Sequence, residues 1–179
     1  MIDPLVFAAL RQEISAAEEQ REHAILCSRQ IIHLSKQIIY ALHRHHEVGD
    51  LVTEMRQYFL SLPSFADSHV HVAAQEYVEA LTYVAFVCQQ SLPSFQELGV
   101  RAEDYVAGLC DLSGELVRRA VSCATAGDIS SVETLFSFVS SLYAELLQLS
   151  VRGDLRKKID MVRWNLQKLE DLLFSLRHR

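Results

Sequence analysis

The 179-residue sequence predicts an all-α protein of seven helices, and three features carry that expectation. Chain breakers are sparse, with only 6 Gly and 3 Pro, too few for a turn-rich β protein. Long stretches are rich in Ala, Leu, Gln, Glu and Arg, all good helix formers. The few breakers stand next to capping residues and divide the chain into seven segments with short connectors.

The first helix opens at Asp3-Pro4, an N-cap followed by proline at the first helical position, and its pattern runs to about Glu47. Ile25, Ile32, Ile39 and Leu42 keep helical spacing, as do Leu34, Ile38 and Ala41. Such a helix spans roughly 60 Å at about 1.5 Å per residue, more than a small globule needs, which points to an oligomer or an elongated bundle. Gly49 closes it, and Asp50 caps a shorter helix to about Leu60. After Leu62-Pro63-Ser64 comes a helix from about Asp67 to Gln90, and Leu92-Pro93-Ser94 breaks the chain again. The pentapeptide Ser-Leu-Pro-Ser-Phe occurs at 61–65 and 91–95, a reused stop-and-start signal. Ser94 and Glu97 form a capping box for a short helix ending near Gly99. The next helix runs from Arg101 or Ala102 to Thr125 and ends at Gly127. Asp128 or Ser130, with Glu133, caps a helix to about Val151; Gly153 ends it, and Asp154 caps the last, to Arg177. One helical domain over 1–179 is expected.

Half the residues are hydrophobic and 22% are charged, ordinary for a globular protein. No run of 18 apolar residues suggests a membrane span, and MIDPLVFAAL does not read as a secretory leader. Cys27, Cys88, Cys110 and Cys123 lie in apolar helical contexts without CxxC spacing, which predicts buried free thiols in a reducing, cytoplasmic setting. The net charge of −6 argues weakly against a nucleic-acid partner, but it is uneven. Arg152 to Arg179 carries a local +4, leaving −10 for the remainder.

Two carboxylate pairs stand out. Glu76 and Glu79 are three apart and Asp111 and Glu115 four apart, so each pair shares a helix face. Both sit among apolar residues: Val78, Leu81, Val84 and Phe86, and Leu109, Cys110, Leu112 and Leu116. Burying four carboxylates is costly unless a cation offsets them, and Mg²⁺ or Mn²⁺ prefers such oxygen ligands. The alternative is that each pair faces solvent or meets an arginine, Arg118 or Arg119 for the second. A ferritin-like di-iron site needs Glu-x-x-His on two helices, and no Glu here has His three residues later. His43, His45, His46, His69 and His71 read either as metal ligands or as a solvated, phosphate-contacting group. Arg21, Arg29, Lys36 and Arg44 recur about every two turns along the first helix, either a stripe that tracks a phosphate backbone or an ordinary solvated face. Tyr58, Phe59, Phe65, Tyr77 and Tyr83 either stack on bases or fill the core. Val162, Leu166, Leu169, Leu173 and Leu176 give the last helix an apolar face suited to a subunit contact. No phosphate-cradling Gly-rich loop is present.

The segment 104–120, Asp-Tyr-Val-Ala-Gly-Leu-Cys-Asp-Leu-Ser-Gly-Glu-Leu-Val-Arg-Arg-Ala, and the Ala126-Gly127-Asp128 after it, resemble the signature helix of the translin family. Gln75-Glu-Tyr-Val-Glu-Ala80 and Ser35-Lys-Gln-Ile-Ile-Tyr-Ala-Leu-His-Arg44 resemble its translin-associated factor X branch, and Leu155-Arg-Lys-Lys with the Lys168-Leu-Glu170 helix fits both branches. The resemblance spans nearly the whole chain. It implies a seven-helix bundle assembled into hollow, roughly octameric shells. It implies an Mg²⁺-dependent endoribonuclease acting on single-stranded RNA, whose catalytic and metal-holding carboxylates fall on Glu76, Glu79, Asp111 and Glu115. It implies RNA or single-stranded DNA binding through Arg21 and, further along, Arg29, Lys36 and Arg44. The compact connector at 90–101 and the lack of a tail beyond Arg179 resemble a stripped-down, prokaryotic member working as a homo-oligomer, for which a translin partner is not assumed. A non-catalytic RNA- or single-stranded-DNA-binding module, as translin is, stands as the alternative, and a purely structural helical scaffold as a third.

Overall fold

The computed structural model describes residues 3–63 and 68–178. Among them lie seven helices: α1 (Pro4–His43), α2 (Gly49–Leu60), α3 (Ser68–Val87), α4 (Phe95–Leu98), α5 (Ala102–Thr125), α6 (Ile129–Leu146) and α7 (Gly153–Arg177). The fold is all-α, with no strand among the described residues, as the sequence predicts. The expected start of α3 at Asp67, and Phe65, fall outside the described residues.

Capping chemistry sets the boundaries. The Asp3 carboxylate accepts from the Leu5 N–H at 2.9 Å, satisfying one of the amides left open at the helix start. Ser94 and Glu97 close the expected capping box, and Gly99 ends α4 with φ 66°, a left-handed value that glycine adopts without strain. Several boundaries depart from the sequence reading, and α6 takes one of its two candidate caps. α1 stops at His43, not Glu47, because His45 turns to φ 60°. Val48 is the N-cap of α2, and Asp50 sits inside its first turn. Of the two caps the sequence offers for α6, Asp128 is the one used, accepting from Ser131 N–H, and Glu133 pairs with Arg177 at 2.6 Å. α6 ends at Leu146 rather than Val151, and Arg152 rather than Asp154 holds the N-cap of α7.

The C-terminal half of α1 lies against α2 and α3, α3 packs on α5, and α5 packs on α6 and α7, which also pack on each other. One apolar cluster runs through these contacts, from Ile31, Ile38 and Met55 through Val78, Tyr83, Leu112 and Leu116 to Ile159 and Leu169. The apolar face of α7 belongs to this core: Val162, Leu169 and Leu173 are buried, and Leu166 and Leu176 pack against the cluster. That corrects its assignment as a subunit contact, because α5 and α6 already cover it. The large apolar residues α7 does expose are Met161, Trp164 and Phe174. The N-terminal half of α1 is different. Every residue from Asp3 to His23 is exposed, including Phe7, Leu10 and Ile14. These continue the 3–4 spacing of Ala24, Ser28, Ile31, Ser35, Ile38 and Leu42, all buried farther along the same helix.

Gly108 governs the approach of α3 to α5. A Cβ there would lie 2.6 Å from Val78 Cβ and 2.7 Å from the Gln75 carbonyl oxygen. Only a residue without a side chain lets the two helices, and the carboxylates they carry, come this close.

Cys27 and Cys110 are buried and Cys123 half-buried, all free as expected. Cys88 is free but exposed, because it follows the last turn of α3.

Candidate acidic site between α3 and α5

Both pairs project to the same side of the α3–α5 contact. Glu76 and Glu79 share a face of α3, and Asp111 and Glu115 a face of α5, as i, i+3 and i, i+4 spacing requires. All four are half-buried. Glu76, Glu79 and Glu115 line a groove of about 410 Å³ together with Lys36, Ile39, Tyr40 and Arg118. Asp111 stands close enough to act electrostatically on Glu76 and Glu79.

The four acids are not equivalent. Lys158 of α7 forms an ion pair with Asp111. His43 bonds Glu115 at 2.6 Å, and Arg118 approaches it at 3.6 Å. Glu76 and Glu79 make no ion pair or side-chain hydrogen bond among the described residues. Burial pushes the Glu79 carboxyl up to about 8, and the charges of Asp111, Glu76 and Glu115 add to the shift while Lys158 opposes it. Burial raises Glu76 in the same direction; Lys36 and Lys158 oppose the rise, and Asp111 and Glu115 reinforce it. A carboxyl without a counter-charge, crowded by others, favours its neutral form. The site therefore calls for positive charge that the chain supplies only in part.

The donor chemistry fits a hard divalent ion: every candidate ligand is a carboxylate oxygen, and two have no partner among the described residues. Among the described residues, however, no three His, Cys, Asp or Glu side chains stand as a ready-made metal cage. Lys158 and His43 draw Asp111 and Glu115 toward themselves instead. Cys110, next to Asp111, is no competing nucleophile, since burial pushes its thiol up to about 12.

Part of the site was not foreseen from the sequence. Lys158 lies in the basic C-terminal stretch, but nothing in its spacing marks it as the partner of Asp111. Arg118 was foreseen as a partner of the second pair. Arg119 reaches Tyr83 instead, and the Tyr83 hydroxyl meets His43 Nδ1 at 3.2 Å. With a proton on His43 Nε2, the imidazole donates to Glu115 and accepts from Tyr83, a relay that fixes the Glu115 carboxylate. His45 and His46 are exposed, and His71 bonds the buried Asp104 at 2.9 Å. Neither arrangement adds to the acidic groove.

The basic stripe is only partly one surface. Arg21, Arg29, Lys36 and Arg44 are all exposed, but Lys36 lines the acidic groove, and Arg44 lies past the helix end with its guanidinium 4.9 Å from the Tyr40 ring centre. Tyr77 and Tyr83 are core residues, and Phe59 stacks on Tyr77 at 4.0 Å, so these rings are committed inside the protein.

A bundle of this topology, with paired helical carboxylates facing a groove rimmed by lysine and arginine, defines an all-helical protein with an acidic groove between two of its helices. The chain belongs to the translin family, whose family model matches residues 19–179. It is 30% identical over 160 residues to an uncharacterized protein, MJ0175, of Methanocaldococcus jannaschii, covering 83% of this chain and 72% of the relative. It is 26% identical to Translin-associated protein X of Mus musculus, covering 98% of this chain and 78% of that protein. Among solved structures, that of apo-NeC3PO superposes with a TM-score of 0.83 at 28% identity over 98% of each chain. That of AfC3PO in complex with duplex RNA superposes with a TM-score of 0.84 at 20% identity over 96% of each chain, a likeness of fold.

Proposed function

We propose that the protein is an Mg²⁺-dependent endoribonuclease cutting single-stranded RNA, with Mn²⁺ as a substitute ion. The observation that carries this reading is the set of four mutually repelling carboxylates on α3 and α5, two without a partner among the described residues and Glu79 pushed up to about 8. A scaffold has no use for such an arrangement, and an anionic ligand is repelled by it unless a cation intervenes.

Glu76, Glu79, Asp111 and Glu115 would hold the ion. When bound, a divalent ion acidifies water and offsets negative charge on a phosphate. The protein's own groups do the rest. One of the four, Glu79, would instead take the proton of the attacking water. The Tyr83–His43 pair keeps Glu115 oriented. Lys36 and Arg118 at the groove and Arg21, Arg29 and Arg44 along α1 hold flanking phosphates without reading bases. The apolar seam of Phe7, Leu10 and Ile14, uncovered by any described element, supports assembly into a homo-oligomer, with an octameric shell as the form the family resemblance implies. An enclosed shell favours a flexible single strand over a stiff duplex.

A second reading, a non-catalytic module for RNA or single-stranded DNA, has its own support. Asp111 and Glu115 already hold protein partners, and AfC3PO, which shares the fold, forms a complex with duplex RNA. Cleavage of labelled single-stranded RNA, in Mg²⁺ and in EDTA, by wild type and Asp111→Asn separates the two. Metal-dependent cutting that is lost in the variant while RNA still binds supports the nuclease. Tight binding without cutting by wild type supports the binding module. Equal cutting of duplex and single-stranded RNA refutes the strand preference.

A further inference from the structure

We infer that Lys158 is a positioning residue of the acidic groove, the resident counter-cation of Asp111 that a divalent ion displaces when it binds. The inference rests on the nuclease reading above and extends it to a residue on a third helix.

Geometry carries the argument. Ile159 and Val162 are fully buried against the core, which fixes the rotation of α7 and sends Lys158, beside Ile159, across to Asp111 on α5. The Lys158 and Asp111 side chains are 33% and 38% exposed, so the pair lies at the rim and the ammonium has water to move into. Its four-carbon stem is flexible enough to do so, which a planar guanidinium held at two points is not. Lys158 also acts on more than its partner. Among the described residues it is the cation that acts on Glu79, and with Lys36 it acts on Glu76. Glu115, by contrast, is served by His43 and Arg118. A single ammonium thus offsets three of the four acids in the metal-free protein.

That role conflicts with metal binding. A divalent ion that takes Asp111 as a ligand must break the Asp111–Lys158 pair, and two positive charges cannot share one carboxylate cheaply. Lys158 therefore stabilises the empty groove and weakens its affinity for the ion by the same interaction. Removing it has opposite effects on the two states.

The test is calorimetric titration of MnCl₂ into the full-length protein, comparing wild type with Lys158→Met, which keeps most of the stem, and Lys158→Arg, which keeps the charge. Melting of each protein in EDTA is recorded beside it. Lys158→Met is expected to bind Mn²⁺ roughly two- to fivefold tighter, the size of one part-exposed ion pair, and to melt lower in EDTA. Lys158→Arg is expected to bind Mn²⁺ about twofold or more weaker, since arginine grips a carboxylate at two points. A residue that merely braces α5 against α7 predicts the reverse for methionine, namely looser metal binding along with lower stability. Should Lys158→Met not fold, unchanged or tighter Mn²⁺ binding by Lys158→Arg overturns the inference. Equal or weaker binding by folded Lys158→Met also overturns it and leaves the nuclease reading intact. No Mn²⁺ binding by wild type removes both.

Discussion

Replacing Glu79 by glutamine tests the electrostatics of the groove without any substrate. The folded protein keeps a proton on Glu79 up to about pH 8, whereas an unperturbed glutamate loses it near 4.5. Between those values folding takes up a proton, so the stability of the metal-free protein falls as pH rises through this window and levels off above it. Each pH unit within the window is worth roughly 1.4 kcal/mol for a full shift, or about 3 kcal/mol between about pH 5.5 and 8.5. Glu79 is half-buried rather than enclosed, and solvent relaxation cuts this to about 1.5 kcal/mol. For a chain of this length that lowers the melting temperature by roughly 3–6 °C. Glutamine keeps the shape and removes the titration. The assay is thermal unfolding in EDTA at a series of pH values. Wild type should lose stability toward pH 8.5, with Glu76 contributing in the same direction, and Glu79→Gln should show a clearly flatter profile and melt higher than wild type at pH 8.5. Added Mg²⁺ should raise wild type most where Glu79 is ionised. An unchanged pH slope in Glu79→Gln would refute the claim that this carboxyl is the strained group of the groove.

Three further outcomes follow from particular contacts. Gly108→Ala puts a methyl 2.6 Å from Val78 Cβ, so it should cost about 2 kcal/mol or more in denaturant unfolding and weaken Mn²⁺ binding by parting α3 from α5. Ser28→Ala removes a buried hydroxyl that has no hydrogen-bond partner among the described residues, and it should raise stability by about 1 kcal/mol in the same assay. Lys36→Ala removes the lysine of the groove lining, and by the phosphate-contact reading it should weaken binding of any single-stranded oligonucleotide and lower the log–log salt slope by about one.

The helices and the carboxylate pairs were legible in the sequence because both are local. Asp3-Pro4, the Ser94–Glu97 box and Gly99 mark boundaries through atoms a few residues apart, and i, i+3 and i, i+4 spacing puts Glu76 with Glu79 and Asp111 with Glu115 whatever surrounds them. Where boundaries slipped, as at His45 and Arg152, competing local turns had similar signals. Only the tertiary structure decided that the two pairs face each other, because that depends on how closely α3 and α5 approach at Gly108. It alone decided that Asp111 meets Lys158, 47 positions away, that Glu115 meets His43, 72 away, and that the apolar face of α7 points inward rather than toward a partner. Sequence periodicity records which side of a helix is apolar or charged. Which helix lies opposite depends on packing between segments far apart in the chain, and the charge balance of the groove is set there.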